Sequence, residues 1–129
     1  MKTYANIFGV FFVLACAAPT PVMAEGPVVT QTMLVDTQGD VAGFLDLHRQ
    51  VQKISQRLEF VSKARVMYAS VAGDQSQMVA VVVEYPDLAT WAKERAALFA
   101  DAEWQAMFRE DEGKVRLVSS SLWTDITPE

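Results

Sequence analysis

The sequence has 129 residues, of which 51% are hydrophobic, 21% charged and 10% aromatic. This composition excludes a disordered, collagen-like or low-complexity chain, and the length suits one domain. The 16 acidic and 11 basic residues give a formal net charge of −5, which favours neither nucleic acid nor an anionic membrane as a partner. With 1 cysteine and 1 histidine, neither an internal disulfide nor a metal centre is expected, and no cofactor is predicted.

The N-terminal segment has the pattern of a secretory signal peptide. Lys2 precedes an apolar or small-residue run over residues 7–18, and residues 22–24 (VMA) resemble a small-x-small cleavage site. The run is shorter than the roughly 20 apolar residues that a membrane-spanning helix needs. We therefore predict a signal peptide over residues 1–24 and one exported domain, periplasmic or secreted, over residues 25–129.

A second interpretation of the same segment is a bacterial lipobox. Residues 13–16 (VLAC) end in Cys16, the residue that such a signal lipidates. The protein would then be anchored to a membrane through Cys16, and membrane contact is expected in that case alone. Both interpretations predict export, and in both the domain has no thiol free for chemistry.

The remaining chain predicts an α+β fold with the element order β-α-β-β-α-β. Alternating apolar and β-branched residues predict strands over residues 28–36, 64–72, 77–85 and 114–124. A helical apolar period predicts helices over residues 41–60, 86–100 and 102–110. This order is that of the ferredoxin-like fold, a four-stranded antiparallel sheet in the order 4-1-3-2 with the helices on one face.

The third predicted strand is apolar on both of its sides. Met78, Ala80 and Val82 lie on one side, and residues 79, 81 and 83 are all valine on the other. Because a strand with one wet face should alternate apolar and polar residues, both faces of the sheet are expected to be covered. We predict a homodimer with sheet packed on sheet, and the alternative is a monomer whose own termini cover the second face.

Two stretches around the second helix resemble a known superfamily. Residues 84–91 (EYPDLATW) and 98–104 (LFADAEW) are similar to the second βα unit of dimeric α/β-barrel proteins, above all the NIPSNAP-like and antibiotic-biosynthesis-monooxygenase-like branches. The resemblance implies dimerisation through the sheets and a ligand cavity between sheet and helices. The domain has no asparagine, and its single histidine lies on the first helix, so it departs from the residue set of the haem-degrading members.

Polar residues in apolar surroundings are the candidates for a site. A helical wheel places Arg95 in the stripe with Trp91 and puts Glu94 on the outer face. Arg95 therefore either anchors an anion or carbonyl group, or is a structural residue that packs on Trp91 or pairs with a carboxylate on a strand. His48, at the edge of the first helix's apolar stripe, is the candidate proton-transfer group, and either Ser55 or a polar group on a strand would orient it.

Two further side chains complete the predicted site. Gln31 interrupts the first strand and is expected to line a polar pocket or to hydrogen-bond across the dimer interface. Tyr68 and Trp91, together with Tyr85 and Trp104, form either an aromatic ligand wall or part of the core. The predicted ligand-binding set is Gln31, Tyr68, Trp91 and Arg95, with His48 and Arg95 as catalytic candidates.

Two classes of function follow. The first is a non-catalytic module that binds a small apolar or aromatic molecule or serves assembly. The second is a cofactor-independent monooxygenase or isomerase acting on a small aromatic or polyketide-like substrate. The first is preferred, because the sequence offers no coherent proton-transfer pair.

Overall fold

The computed structural model describes residues 26–70, 73, 76–110 and 113–128. The elements are β1 (Val29–Asp36), α1 (Val41–Arg57), β2 (Lys63–Tyr68), β3 (Val79–Tyr85), α2 (Leu88–Ala100), α3 (Ala102–Glu110) and β4 (Arg116–Thr124). The predicted α+β class and the order of elements are confirmed. The predicted signal peptide, its cleavage site and Cys16 lie outside the described residues. Within the described ranges, no helix has the length and apolar character needed to span a membrane.

Several element boundaries differ from the prediction by a few residues, and two of them share one backbone reason. The first helix was expected to reach residue 60, but it ends at Arg57, and Glu59 has a φ of 56°. The third strand was expected from residue 77, but it begins at Val79, and Gln77 has a φ of 71°. A residue in the left-handed region continues neither a right-handed helix nor a strand, so each element stops there.

Aspartates cap the three helices at their N-termini. The Oδ1 atom of Asp40 accepts a hydrogen bond from the backbone N–H of Gly43 at 2.8 Å, and Asp87 accepts one from Thr90 at 2.6 Å. Asp101, which directly precedes α3, accepts a hydrogen bond from the backbone N–H of Trp104 at 3.0 Å. Each carboxylate satisfies an N–H group that would otherwise lack a partner in the first helical turn.

The four strands form one antiparallel sheet in the order β2-β3-β1-β4, which confirms the predicted order. The register pairs Gln31 of β1 with Val83 of β3 and with Leu122 of β4. The β1–β4 ladder contains a bulge, because Leu34 pairs with Ser119 and Val35 with Leu117, which leaves Val118 without an opposite residue.

One face of the sheet carries the helices and the core. Val29 and Val35 of β1 and the side chains of residues 79, 81, 83 and 85 of β3 form a cluster with Phe44 of α1, and Trp91 of α2 packs against it. The third helix contacts α1 and α2. Near that contact, Arg57 at the end of α1 pairs with Asp101 at 2.8 Å and with Glu103 at 3.0 Å.

We call the second face of the sheet the open face. By register it carries Lys63, Arg65 and Met67 of β2, Ala80, Val82 and Glu84 of β3, Thr30, Thr32 and Leu34 of β1, and Ser119, Ser121 and Trp123 of β4. Its apolar members are Val82, Ala80 and Leu34 on the two inner strands, with Met67 and Trp123 on the outer strands. Met67 is 51% exposed and Trp123 63% exposed in the single chain.

Candidate functional site

A buried amide joins the sheet to the helix layer. Gln31 lies on the central strand β1 with its side chain on the helix-facing side, and 7% of the residue is exposed. Its Oε1 atom accepts hydrogen bonds from Trp91 Nε1 at 3.2 Å and from the Tyr85 hydroxyl at 3.5 Å. Its Nε2 atom donates to Ser120 Oγ at 3.1 Å. We call Gln31, Tyr85, Trp91 and Ser120 the polar cluster.

The polar cluster accounts for a glutamine on a central strand. A buried amide is costly unless its donor and acceptor atoms find partners, and here both do. Gln31 faces the helices rather than the open face, so it does not point toward a second sheet packed on that face. The prediction that it lines a polar pocket stays a prediction, because Gln31 lines neither of the two depressions described below.

The Tyr85 hydroxyl of this cluster is held in its protonated form. Burial raises the pKa of Tyr85 to about 12, and the nearby negative charge of Glu94 acts in the same direction, while Arg95 opposes it. The phenol is therefore a hydrogen-bond donor at neutral pH and not a proton acceptor.

Glu94 is buried, and the prediction that it lies on the outer face of α2 is wrong. Only 6% of the residue is exposed, and its Oε1 atom accepts hydrogen bonds from the backbone N–H of Val61 at 2.7 Å and of Ser62 at 3.4 Å. Its Oε2 atom is buried without a hydrogen-bond partner in the described part of the chain. The sequence pattern that could have indicated this burial is the spacing of Glu94, three residues after Trp91, because residues three apart lie on one side of a helix.

Arg95 points outward, so the prediction that its side chain lies on the inward side of α2 is wrong. The residue is exposed, and its Cζ atom lies 5.5 Å from the centre of the Trp91 ring and 4.8 Å from that of Phe99. This is the geometry of a cation–π contact, as in the structural interpretation of Arg95. Through Trp91 it lies next to the polar cluster without being hydrogen-bonded to it.

His48 lies on α1, away from the partners that catalysis would need. Its ring stacks on Phe44 with the ring centres 6.4 Å apart, and burial lowers its pKa. The expected orienting residue does not serve it, because the Ser55 hydroxyl donates to the backbone oxygen of Val51 at 3.0 Å.

The structure separates the remaining aromatic candidates. Tyr68 is 51% exposed and pairs with Val79, whereas Gln31 pairs with Val83, four residues further along β3. At about 3.3 Å per residue, Tyr68 and Gln31 are about 13 Å apart along the strands. Trp104 packs instead on Phe99 and Phe108, with ring centres 4.7 Å and 4.3 Å away. An aromatic wall around Gln31 thus consists of Tyr85 and Trp91.

The surface of the described residues includes two depressions that bear on the site. One, of about 170 Å³, is lined by Val28, Val61, Lys63, Glu84, Tyr85 and Pro86. The other, of about 120 Å³, is lined by Asp40, Gly43, Phe44, Leu47, Lys114 and Val115. Neither is lined by the predicted ligand-binding residues, although the first shares Tyr85 with the polar cluster. Among the residues that the structure describes, no group of three or more histidine, cysteine or acidic side chains is placed to hold a metal ion.

Several solved structures of NIPSNAP proteins are similar to this chain in fold. An uncharacterised NIPSNAP-like domain protein from Burkholderia xenovorans is 19% identical, with a TM-score of 0.56 over 81% of this chain and 91% of that one. A NIPSNAP family protein of unknown function from Agrobacterium tumefaciens is 11% identical, with a TM-score of 0.63 over 81% and 95%. A second from Agrobacterium tumefaciens is 16% identical, with a TM-score of 0.54 over 79% and 90%.

The sequence comparison agrees with the structural one. No curated protein matches the chain. The sequence model of the NIPSNAP family matches residues 41–126. The matched range begins at the first residue of α1 and ends two residues after β4. The predicted resemblance to the NIPSNAP-like branch is confirmed, and the chain belongs to the NIPSNAP family.

Proposed function

We propose that this protein is an exported, non-catalytic assembly module that forms a homodimer through the open face of its sheet. The observation that supports the proposal is the composition of that face. Its inner strands carry Leu34 and Ala80, which are partly buried, and Val82, which is already buried in the single chain. Its outer strands carry Met67 and Trp123, which are exposed. The helices pack on the other side.

Covering this face would remove apolar side-chain area from water, with Trp123 as the largest contributor. Trp123 is 63% exposed, which corresponds to about 150 Å² of a tryptophan side chain. Burying that area would contribute up to about 4 kcal/mol per subunit at about 25 cal/mol per Å². In a two-fold dimer each such contact is made twice.

Charges on the open face are placed at its margin. Lys63 and Glu84 share one cross-strand row with Trp123, and Arg65 of the outer strand β2 hydrogen-bonds to Glu84. Polar residues also lie within the face, because Thr30 and Thr32 are on the central strand β1. Ser119 and Ser121 lie on the same edge strand as Trp123.

The oligomeric state tests the proposal. Analytical ultracentrifugation of the processed protein at micromolar concentration is expected to give a dimer. Met67→Lys, on the open face, is expected to dissociate the dimer without unfolding the subunit, because Met67 is already half exposed. Leu117→Lys is the matched control, since Leu117 is 58% exposed but lies on the helix-facing side of β4. A monomeric wild-type protein, or equal effects of the two variants, would refute assembly through this face.

Export is proposed from the sequence of the first 24 residues. Intact-mass measurement of the protein from the periplasm or culture medium is expected to give a chain that begins at Glu25. A mass that includes acyl chains at an N-terminal Cys16 would support the lipoprotein alternative. An unprocessed chain in the cytoplasm would contradict both.

The enzymatic alternative finds less support in the geometry. A cofactor-independent oxygenase or isomerase would use His48 and Arg95 as its polar groups, but the ring of His48 packs on Phe44 and Arg95 covers the rings of Trp91 and Phe99. Neither side chain lines either depression. We therefore favour the assembly module.

A further inference from the structure

A methionine lies in the apolar part of the open face. Met67 on β2 pairs with Ala80 on β3, and Ala80 pairs with Leu34 on β1, so the three side chains form one cross-strand row. Ala80 and Leu34 are partly buried in the single chain, whereas Met67 is 51% exposed. Of the apolar side chains in this row, Met67 therefore has the largest fraction of its surface left to cover when a second sheet packs on the face.

Met67 is also the most exposed methionine in the part of the chain that the structure describes. Met107 is 6% exposed, and Met33 and Met78 are partly buried. Met33 packs against the core on the helix-facing side of the sheet. Because a dissolved oxidant must reach the sulfur atom, exposure favours oxidation of Met67 before these other methionines.

Oxidation of a methionine thioether by a hydroperoxide needs no further group from the protein. With hydrogen peroxide, the sulfur lone pair attacks one peroxide oxygen and the O–O bond breaks. The second oxygen takes up the proton of the first and leaves as water, so the sulfur loses two electrons and the peroxide gains them. The product is a sulfoxide, which turns a flexible apolar side chain into a polar one and which methionine sulfoxide reductases return to the thioether.

We propose that Met67 is a redox-sensitive modification site, at which oxidation by a hydroperoxide prevents the open faces of two subunits from packing together. The proposal rests on the dimer proposed above and adds its regulation. Neither Ala80 nor Leu34 has a side-chain donor for the sulfoxide oxygen, so covering the row would remove water from that oxygen without a replacement from its neighbours. A two-fold dimer contains two such positions, and its dissociation constant should therefore rise at least about tenfold.

The same geometry determines when the site reacts. Packing of the open faces covers Met67, so the dimer should protect the sulfur atom and the free subunit should be the form that is oxidised. Peroxide then acts on subunits as they dissociate, and the sulfoxide keeps them apart. The oxidation rate of Met67 is expected to fall as the protein concentration rises through the range in which the subunits associate.

Peptide mapping and sedimentation test the two parts of the proposal. The processed protein is treated with dilute hydrogen peroxide, and the sulfoxide at each methionine is measured by mass spectrometry of proteolytic peptides. Met67 is expected to react first. Analytical ultracentrifugation of the product is expected to show the weaker dimer, while circular dichroism shows that the subunit is still folded. Methionine sulfoxide reductases should restore the original dissociation constant. Oxidation of the other described methionines ahead of Met67, or an unchanged dimer after complete oxidation of Met67, would overturn the proposal.

Two conservative variants assign the effect to one sulfur atom. Met67→Leu keeps an apolar side chain of similar size but cannot be oxidised, so its dimer should survive the same treatment. Met33→Leu removes a sulfur atom on the helix-facing side and should stay as sensitive as the wild type. Loss of the Met67→Leu dimer in peroxide would show that another group is responsible. An untreated wild-type protein that is monomeric refutes the dimer and with it this regulation, whereas a dimer that full oxidation of Met67 leaves intact refutes the regulation alone.

Discussion

Replacing Gln31 by methionine tests whether the polar cluster fixes the helix layer to the sheet. Methionine has about the length of glutamine but lacks the Oε1 acceptor. Trp91 Nε1 and the Tyr85 hydroxyl, which lie 3.2 Å and 3.5 Å from that atom, would both lose their bond. Ser120, on the exposed strand β4, would exchange its bond from Gln31 for one with water.

The magnitude follows from the two donors left without an acceptor. A buried donor that loses its acceptor costs about 1 to 3 kcal/mol, and the Tyr85 bond is long, so the two together should cost about 2 to 4 kcal/mol. For a domain of this size, 1 kcal/mol corresponds to about 4 to 8 °C in melting temperature. The variant is therefore expected to melt about 8 to 32 °C below the wild type.

Thermal unfolding followed by circular dichroism and tryptophan fluorescence measures this loss. Gln52→Met is the matched control, because Gln52 is exposed on α1, and it should change the unfolding free energy by less than about 0.5 kcal/mol. Trp91→Phe, alone and combined with Gln31→Met, completes a double-mutant cycle in which the two effects should be less than additive. A Gln31→Met variant that melts with the wild type would show that the cluster does not hold the helix layer.

Three further predictions concern single side chains. Burial lowers the pKa of His48, so the folded state binds a proton at this residue less readily than the unfolded state does. The free energy of unfolding should therefore fall as the pH drops from about 6.5 through the lowered pKa. Urea titrations of His48→Gln across this range should show a flatter pH dependence than those of the wild type. The pKa of Asp101 is lowered by the hydrogen bond from the backbone N–H of Trp104 and then by Arg57. Its contribution to the free energy of unfolding is therefore present above the usual carboxyl pKa and is lost as the pH falls through the lowered value. Asp101→Asn should weaken this acid sensitivity in the same titrations. Arg95→Gln, which loses an exposed cation–π contact, should lower the unfolding free energy by about 0.5 to 1 kcal/mol, and a much larger loss in chemical denaturation would contradict the outward position of the side chain.

The strands and the first helix were predictable from the sequence because their patterns are strong. Phe44, Leu47 and Ile54 follow one side of α1, and all three are buried as the apolar period indicates. The aspartate caps at residues 40 and 101 were equally visible, since an Asx residue before an apolar period marks a helix start.

The orientation of α2 was not predictable for the opposite reason. This helix is weakly amphipathic, with alanines distributed around its circumference, so the spacing of apolar residues does not select one side. What selects the side is tertiary: Trp91 finds an acceptor on β1, and Glu94 finds the N–H groups ahead of β2. Both partners are distant in sequence, and for this reason the predicted site contained Arg95 and omitted Glu94.

The unpaired Val118 in β4 is a position at which this strand could lose one residue without changing its pairing with β1. Leu117 already faces Val35, and Ser119 already faces Leu34, on either side of the extra residue. A chain lacking residue 118 could therefore keep the same cross-strand neighbours, and relatives that differ by one residue at this point need not shift the remainder of the strand. Elsewhere in β4 a single deletion would exchange the two faces of every residue on one side of the cut.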